Sequence, residues 1–129
     1  MTETLLLAKN IDVTITTAYL PEQSIENDQR FVFSYTITIT NNSDEMVQLL
    51  TRSWKITDAN GDVSRVEGEG VVGQTPHISP GTSFTYTSGS MLKTPVGSMQ
   101  GHYQVRNKDG HLLQVNIPVF SLAIPNILN

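Results

Sequence analysis

The stretch RFVFSYTITIT, residues 30 to 40, constrains the fold of this chain more than any other. Apolar and polar residues alternate along it, so that an extended chain would carry five large side chains on one face: Phe31, Phe33, Tyr35, Ile37 and Ile39. Successive side chains of a strand point to opposite faces, and this pattern therefore predicts a strand that is buried on one side. The β-branched and aromatic residues that fill the run favour a pleated sheet.

The same period of two recurs along most of the chain. IDVTITTAYL places apolar residues on one face from Ile11 onward, and SFTYTSG directs Phe84 and Tyr86 inward. MVQLLTRSWKIT carries three apolar residues on one face, with Arg52 as the polar exception: Leu50, Trp54 and Ile56. No window of ten residues shows a convincing helical period of 3.6 residues. The sequence therefore predicts a chain that consists of successive β-strands.

Turn signals separate these strands. Asn60-Gly61 lies between two extended runs, which predicts a hairpin with a type I′ turn, in which both central residues have positive φ. A second hairpin is expected around residues 107 to 110. About seven or eight short strands at this spacing predict an all-β fold, namely an immunoglobulin/fibronectin III-like β-sandwich of antiparallel strands. Trp54 would be the core tryptophan of the third strand, and Tyr103 would form a tyrosine corner.

Length and composition limit the class of protein. The 129 residues suit one domain, residues 1–129, with a core from about residue 11 to residue 122. There is no cysteine, which excludes disulfides and thiolate sites and fits a cytoplasmic location. The net charge of −4 argues against direct nucleic-acid binding. The apolar run from Leu5 to Ala8 is too short for a membrane span, so no membrane association is expected.

The segment GEGVVGQTP, residues 68 to 76, contains Gly68, Gly70 and Gly73 in the spacing G-x-G-x-x-G. A dinucleotide-binding loop requires a helix after it, and Pro76 and Pro80 exclude one here. Two interpretations remain open. The glycines permit a bulge or a crossing with positive φ, or their backbone N–H groups bind an anion, assisted by basic residues on the adjoining strands: Arg52, Lys55 and Arg65.

The remaining candidates for chemistry are sparse. Glu67 and Glu69 flank the loop and would repel phosphate unless a divalent metal ion intervened. The three histidines, His77, His102 and His111, have no metal-binding spacing, although His77 follows the loop and could join a metal or phosphate contact. No nucleophile motif is present. The sequence therefore predicts no catalytic residues, no metal ligands and no cofactor beyond that possible divalent ion.

Three blocks, LLTRSWKITDANG, VEGEGVVGQTPHISPGTSFTYTSG and TPVGSMQGHYQV, closely resemble the ApaG family of bacterial proteins. The resemblance extends from about Ile11 to the C-terminal Asn129. It departs from the family at Gln74-Thr75-Pro76, where an acidic residue is typical, and at Ser53, where histidine is common. It implies a fibronectin III-like sandwich, a protein-binding role as in the related domain of certain F-box proteins, and a link with cobalt and magnesium tolerance, without an established catalytic activity.

Two functional hypotheses follow. The first is a non-enzymatic binding module whose exposed strand edges accept an unidentified protein partner. The alternative is binding or hydrolysis of a pyrophosphate-containing nucleotide through Gly68, Gly70, Gly73, Arg52 and Arg65, together with a divalent ion. The sequence leaves the oligomeric state open.

Overall fold

Eight antiparallel strands form two sheets in the computed structural model, which describes residues 8–125. Two single-turn 3₁₀ helices, Pro21–Gln23 and Glu26–Asp28, connect the first two strands. The predicted all-β sandwich of seven or eight strands is confirmed. Most of the apolar run that starts at Leu5, and the C-terminal end of the family resemblance, lie outside the described residues. The strands are β1 (Ile11–Tyr19), β2 (Phe31–Asn41), β3 (Val47–Asp58), β4 (Val63–Glu69), β5 (His77–Ile78), β6 (Ser83–Leu92), β7 (Val96–Asn107) and β8 (Leu112–Ala123).

The smaller sheet has the order β1-β2-β6 and is built around the alternating strand β2. The predicted inward residues of β2 are all buried, from Phe31 to Ile39. On the opposite face, threonine hydroxyls pair across β2 and β6, with Thr36 Oγ1 lying 2.8 Å from Thr87 Oγ1. One face thus supplies the core and the other faces outward, as the alternation predicts.

The larger sheet has the order β4-β3-β7-β8, and the short β5 also pairs with β3. Trp54 lies in the middle of β3, is only 3% exposed, and packs edge-on against Tyr35 and Phe120. Its predicted place in the core is confirmed. A register shift between Leu49 and Thr51 modifies the expected face, because Leu49 is fully buried whereas Leu50 is half-buried.

The turn between β3 and β4 differs from the prediction. Gly61 has a φ of 85°, but Asn60 does not have positive φ, so this is not a type I′ turn. Gly61 N donates to Asp58 O, and Asp58 N donates to Asp62 O. The connection is a three-residue loop with the glycine in the left-handed position, which the Asp58 side chain stabilises by accepting the N–H groups of Asn60 and Asp62.

Tyr103 does not form a tyrosine corner, which corrects the second sequence prediction for the core. It lies well inside β7 and is fully buried, and its hydroxyl bonds to the hydroxyl of Tyr86 on β6. A tyrosine corner would instead reach a backbone group a few residues upstream. Because β6 and β7 belong to different sheets, this hydrogen bond links the two layers through the core.

Candidate functional site

The glycine loop, residues 68–76, connects β4 to β5 along one edge of β3. Both strands pair with β3, at Thr51 opposite Glu69 and at Gln48 opposite His77. The loop is therefore an excursion from an edge strand, and the segment after it is extended rather than helical. This arrangement agrees with the exclusion of a dinucleotide-binding loop.

The tip of the loop is a two-residue hairpin turn. Val71 N donates to Gln74 O and Gln74 N donates to Val71 O, while Val72 and Gly73 have φ values of 49° and 77°. These are the features of a type I′ turn. Val71 is fully buried and anchors the loop, whereas Val72 is 60% exposed. Positive φ is unfavourable for a β-branched residue, so the backbone of Val72 is strained at this position.

The three glycines serve two different structural purposes. Gly70 and Gly73 have positive φ, and a Cβ atom on Gly70 would lie 2.4 Å from Gln74 O. Gly68 has no unusual φ, but a Cβ atom there would lie 2.9 Å from Arg52 Nη1. Two glycines therefore provide backbone freedom, and the third makes room for a guanidinium group. These observations favour the conformational interpretation of the loop.

Arg52 holds the start of the loop in place. Its Nη1 donates to Glu69 O at 3.0 Å and to Gly70 O at 2.9 Å. Arg52 shares the inner face of β3 with Trp54 and Ile56, as the sequence predicts. The structure thus brings Arg52 together with Gly68 and Gly70.

Arg65, by contrast, lies away from the loop tip. It stands directly opposite Lys55 in the pairing of β3 with β4 and borders a groove on the outer face of the sheet. In addition, the backbone N–H groups of three loop residues are already engaged within the protein: Gly70, Val71 and Gln74. The five residues suggested for an anion site are therefore not arranged around a single point.

The outer face of the larger sheet carries a broad polar groove of about 630 Å³. In register across four strands, Glu67, Ser53, His102 and Asn116 form one row. His77 lies on β5 and His111 in the turn before β8. Within residues 8–125, no three histidine, aspartate or glutamate side chains come together to hold a metal ion.

The sandwich is closed along one side and open along the other. On one side the terminal strands β1 and β8 lie against each other, although among the described residues no β1–β8 pairing merges the two sheets. On the other side β4 and β6 are the terminal strands of their sheets, and in the part of the chain described here no strand pairs with their outer edges. Val63 and Val66 on β4 are 48% and 41% exposed. This open side is the feature that sequence reasoning missed.

A small cavity, here called the lateral opening, lies between the sheets on this open side. It has a volume of about 200 Å³. Its lining includes inward residues of β2, β3, β4 and β6: Tyr35, Arg52, Trp54, Val66, Ser88 and Ser90. Trp54 Nε1 is buried and has no hydrogen-bond partner among residues 8–125. Alternation alone placed Trp54 and Arg52 on one face, but no sequence signal indicated that the indole N–H would stay unpaired.

The buried tyrosine pair belongs to the same interior. Burial raises the pKa of Tyr86 to about 12, although the hydrogen bond from Tyr103 and the positive charge of Arg52 both lower it. Burial, with a smaller contribution from Tyr86, also raises the pKa of Tyr103 above its ordinary value. Both hydroxyls are therefore neutral at physiological pH, and the charge of Arg52 reaches into this part of the core.

Comparison with known proteins agrees with the fold and with the resemblance. The family model of the ApaG domain matches residues 21–107. Protein ApaG of Vibrio campbellii is 52% identical over 119 residues, which cover 92% of this chain and 94% of that protein. Protein ApaG of Enterobacter sp. (strain 638) is 50% identical over 117 residues, with 91% and 94% coverage.

Solved structures show the same similarity. A structural genomics target, solved by X-ray crystallography, superposes with a TM-score of 0.91 at 46% identity, covering 95% of this chain and 93% of that one. The crystal structure of the putative ApaA protein from Bordetella pertussis gives a TM-score of 0.88 at 44% identity, with 90% and 94% coverage. Within residues 8–125, no helix is long and apolar enough to cross a membrane.

Proposed function

The chain belongs to the ApaG domain family, and from that premise we propose that it is a non-enzymatic, cytoplasmic binding module that takes up an extended segment of a protein partner along β4. The observation that carries this proposal is the exposed outer edge of β4. This strand ends its sheet, and its residues are exposed along nearly their whole length. A free strand edge offers backbone donors and acceptors to a further strand.

The ladder between β3 and β4 identifies the backbone groups available for this pairing. Gly70 N donates to Leu50 O, and antiparallel pairs alternate between bonded and non-bonded positions. Counting back from Gly70, the N–H and C=O groups of Gly68, Val66 and Ser64 face β3. The corresponding groups of Arg65 and Glu67 point away from β3 and are available to a partner, whereas the C=O group of Glu69 already accepts a hydrogen bond from Arg52.

A proline at position 67 tests the proposal. Glu67→Pro removes one outward N–H and should leave the ladder with β3 intact, because edge strands tolerate proline where no internal bond is lost. Glu67→Gln is the matched control, since it removes the same charge and keeps the N–H group. Wild-type protein and both variants serve as bait for affinity capture and mass spectrometry, after circular dichroism has shown that each is folded.

We expect partners that the wild type and Glu67→Gln recover and Glu67→Pro loses. Equal recovery by all three would reject strand addition at β4. Failure of the wild type to recover any reproducible partner would count against a binding module altogether.

The alternative hypothesis, binding of a pyrophosphate-containing nucleotide with a divalent ion, is separated by calorimetry. ATP, diadenosine tetraphosphate and pyrophosphate are each titrated with and without Mg²⁺. On the binding-module proposal we expect no heat of binding at millimolar ligand. A saturable signal that Arg52→Gln or Arg65→Gln abolishes would favour the nucleotide hypothesis instead.

A further inference from the structure

The unpaired indole N–H of Trp54 is the first observation that points to a ligand in the lateral opening. Trp54 is 3% exposed, and its Nε1 has no hydrogen-bond partner in the part of the chain that the structure describes. Buried polar groups are nearly always paired, because an unpaired one has lost its hydration without compensation. Since the indole group is a donor only, the group that would satisfy it is an acceptor. Trp54 is among the residues that line the lateral opening, so an acceptor that enters the opening comes beside this residue.

The charge of Arg52 is the second observation. Both hydrogen bonds of its guanidinium run from Nη1 to backbone carbonyls, and it pairs with no carboxylate of the described residues. A guanidinium group has five N–H donors, so further donors remain for a ligand. Arg52 lines the same opening as Trp54. A cation beside an unpaired donor is complementary to an anionic acceptor, and a carboxylate fits this description.

The surroundings of the opening extend this positive charge to the strand edge. Lys55 and Arg65 stand directly opposite each other on the outer face, where like charges destabilise a sheet. Arg52 lies on the inner face opposite Gly68, with its guanidinium at the backbone of Glu69 and Gly70, so positive charges border both faces of β4 in a protein whose net charge is −4. Glu67 and Glu69 lie further along β4, toward the glycine loop. These two glutamates pair with Ser53 and Thr51 and so belong to the outer face, whereas the inner face beside Arg52 suits an acidic residue of a partner.

A partner strand that pairs with β4 would bring one of its own side chains to the lateral opening. Alternate side chains of a segment paired with β4 would point inward, between the two sheets, beside Val66. From the other side, Ser88 and Ser90 of β6 line the opening. Its volume of about 200 Å³ is smaller than the roughly 300–1,000 Å³ of sites for drug-sized ligands. The opening is thus of a size to receive one side chain rather than a nucleotide.

Resting on the strand addition proposed above, we propose that the lateral opening binds one carboxylate side chain of the partner's extended segment, held by Arg52 and by the indole N–H of Trp54. The segment is therefore an acidic one, with an aspartate or glutamate at the position that faces inward next to Val66.

A titration with a small carboxylate tests the site without the strand. Trp54 is the only tryptophan, so its indole N–H gives one unambiguous resonance in a ¹H–¹⁵N spectrum. Propionate should shift this resonance saturably, whereas the uncharged isostere propionamide should not. Identical responses to both compounds, or no response to propionate, would overturn the carboxylate site.

Two blocked seven-residue peptides test the strand and the site together. One alternates threonine and valine around a central glutamate, and the other has glutamine at the centre. We expect the glutamate peptide to bind about ten-fold more tightly or better, the difference typical of one charge-assisted contact. Equal binding of the two peptides would leave strand addition standing and reject the carboxylate site. A shift with propionate but no binding of either peptide would reject strand addition, and with it the proposed segment.

Matched variants locate the binding. Ser88→Ile should fill the opening and weaken the glutamate peptide about ten-fold or more, while Thr87→Ile, on the opposite face of the same strand, should not change its affinity. Arg52→Gln should reduce the preference for glutamate over glutamine to about unity, and Arg52→Lys should retain part of it. Unchanged affinity in folded Ser88→Ile protein would overturn the proposal, and this variant leaves the Arg52 contacts with the glycine loop in place.

Discussion

At the residue scale, Trp54 shows how far the alternating pattern can be trusted. The pattern predicts that it lies in the core of the third strand, and in the structure its ring packs edge-on against both Tyr35 and Phe120. Periodicity carries this information because it fixes which face a side chain occupies. It does not fix hydrogen bonding, which depends on elements distant in the sequence. The unpaired Nε1 of Trp54 could therefore not be predicted from the sequence.

An alanine substitution at Trp54 measures how much this side chain contributes to the free energy of unfolding. Trp54→Ala should reduce the free energy of unfolding by about 3–5 kcal/mol, because it leaves a large cavity in the core. Domains of this size have about 5–15 kcal/mol in total, so the loss should be evident in urea denaturation. Trp54→Phe is the milder control, since it keeps an aromatic ring and removes the unpaired donor. A loss below about 1 kcal/mol for the alanine variant would contradict the burial.

The glycine loop gives an ordered series of three variants. Gly70→Ala should be the most destabilising, since its methyl group would meet Gln74 O at a residue with positive φ. Gly73→Ala should cost at least about 1 kcal/mol, from left-handed strain alone. Gly68→Ala should cost least, because its methyl group meets the end of a flexible arginine.

Melting temperatures, measured beside nucleotide titrations, separate the two interpretations of the loop. Loss of stability in at least two of the variants supports the conformational interpretation. Three variants that melt like the parent and lose ligand binding would instead support an anion site.

At the scale of elements, strands were easier to predict than the turns and bulges between them. Alternation indicates β1, β2, β3 and most of β6, since hydrophobic burial acts along a whole strand. The turn at Asn60-Gly61 was assigned wrongly because Asp58 stabilises a three-residue loop instead. A type I′ turn occurs instead at Val72-Gly73, although valine is not a residue type that predicts positive φ. Tertiary anchoring by the buried Val71 overrides the local preference there.

Because the backbone of Val72 is strained, we can predict how a substitution in this turn changes the stability of the protein. Val72→Asn should raise the free energy of unfolding by up to about 1 kcal/mol, because asparagine tolerates positive φ better than a β-branched residue. The valine is exposed, so little packing is lost in exchange. Chemical denaturation of both proteins measures the difference, and Val71→Asn should act in the opposite sense because it buries a polar amide. A Val72→Asn variant less stable than the parent would show that the exposed valine makes a stabilising contact.

At the scale of the whole molecule, the sandwich itself could be predicted, but not which of its sides stays open. That asymmetry depends on strand order, with β1 against β8 on one side and two free edges on the other. Neither composition nor periodicity encodes strand order directly. The candidate site was foreseen only in part for the same reason. Arg52, Gly68 and Gly70 come together, whereas Arg65 lies on the outer face, and the lateral opening results from the free edges.

Burial of Tyr86 and Tyr103, whose hydroxyls bond to each other between the two sheets, should govern unfolding in alkali. The folded pKa of Tyr86 is raised to about 12, above the ordinary value of 10.0. The neutral phenol is therefore favoured by the fold, and its contribution is fully present below pH 10. It is lost as the pH rises from about 10 to about 12, because the unfolded state releases the proton first. We expect the free energy of unfolding to fall across this window by roughly 1–3 kcal/mol.

Urea denaturation at a series of alkaline pH values, together with the ultraviolet absorbance of tyrosinate, measures this effect. Of the four tyrosines in the chain, the buried pair should ionise only as the protein unfolds. The double variant Tyr86→Phe/Tyr103→Phe is the control, because it keeps both rings and removes both protons. Its stability should fall less steeply over the same window. An equally steep fall in the double variant would show that burial of this tyrosine pair does not set the alkaline limit of the fold.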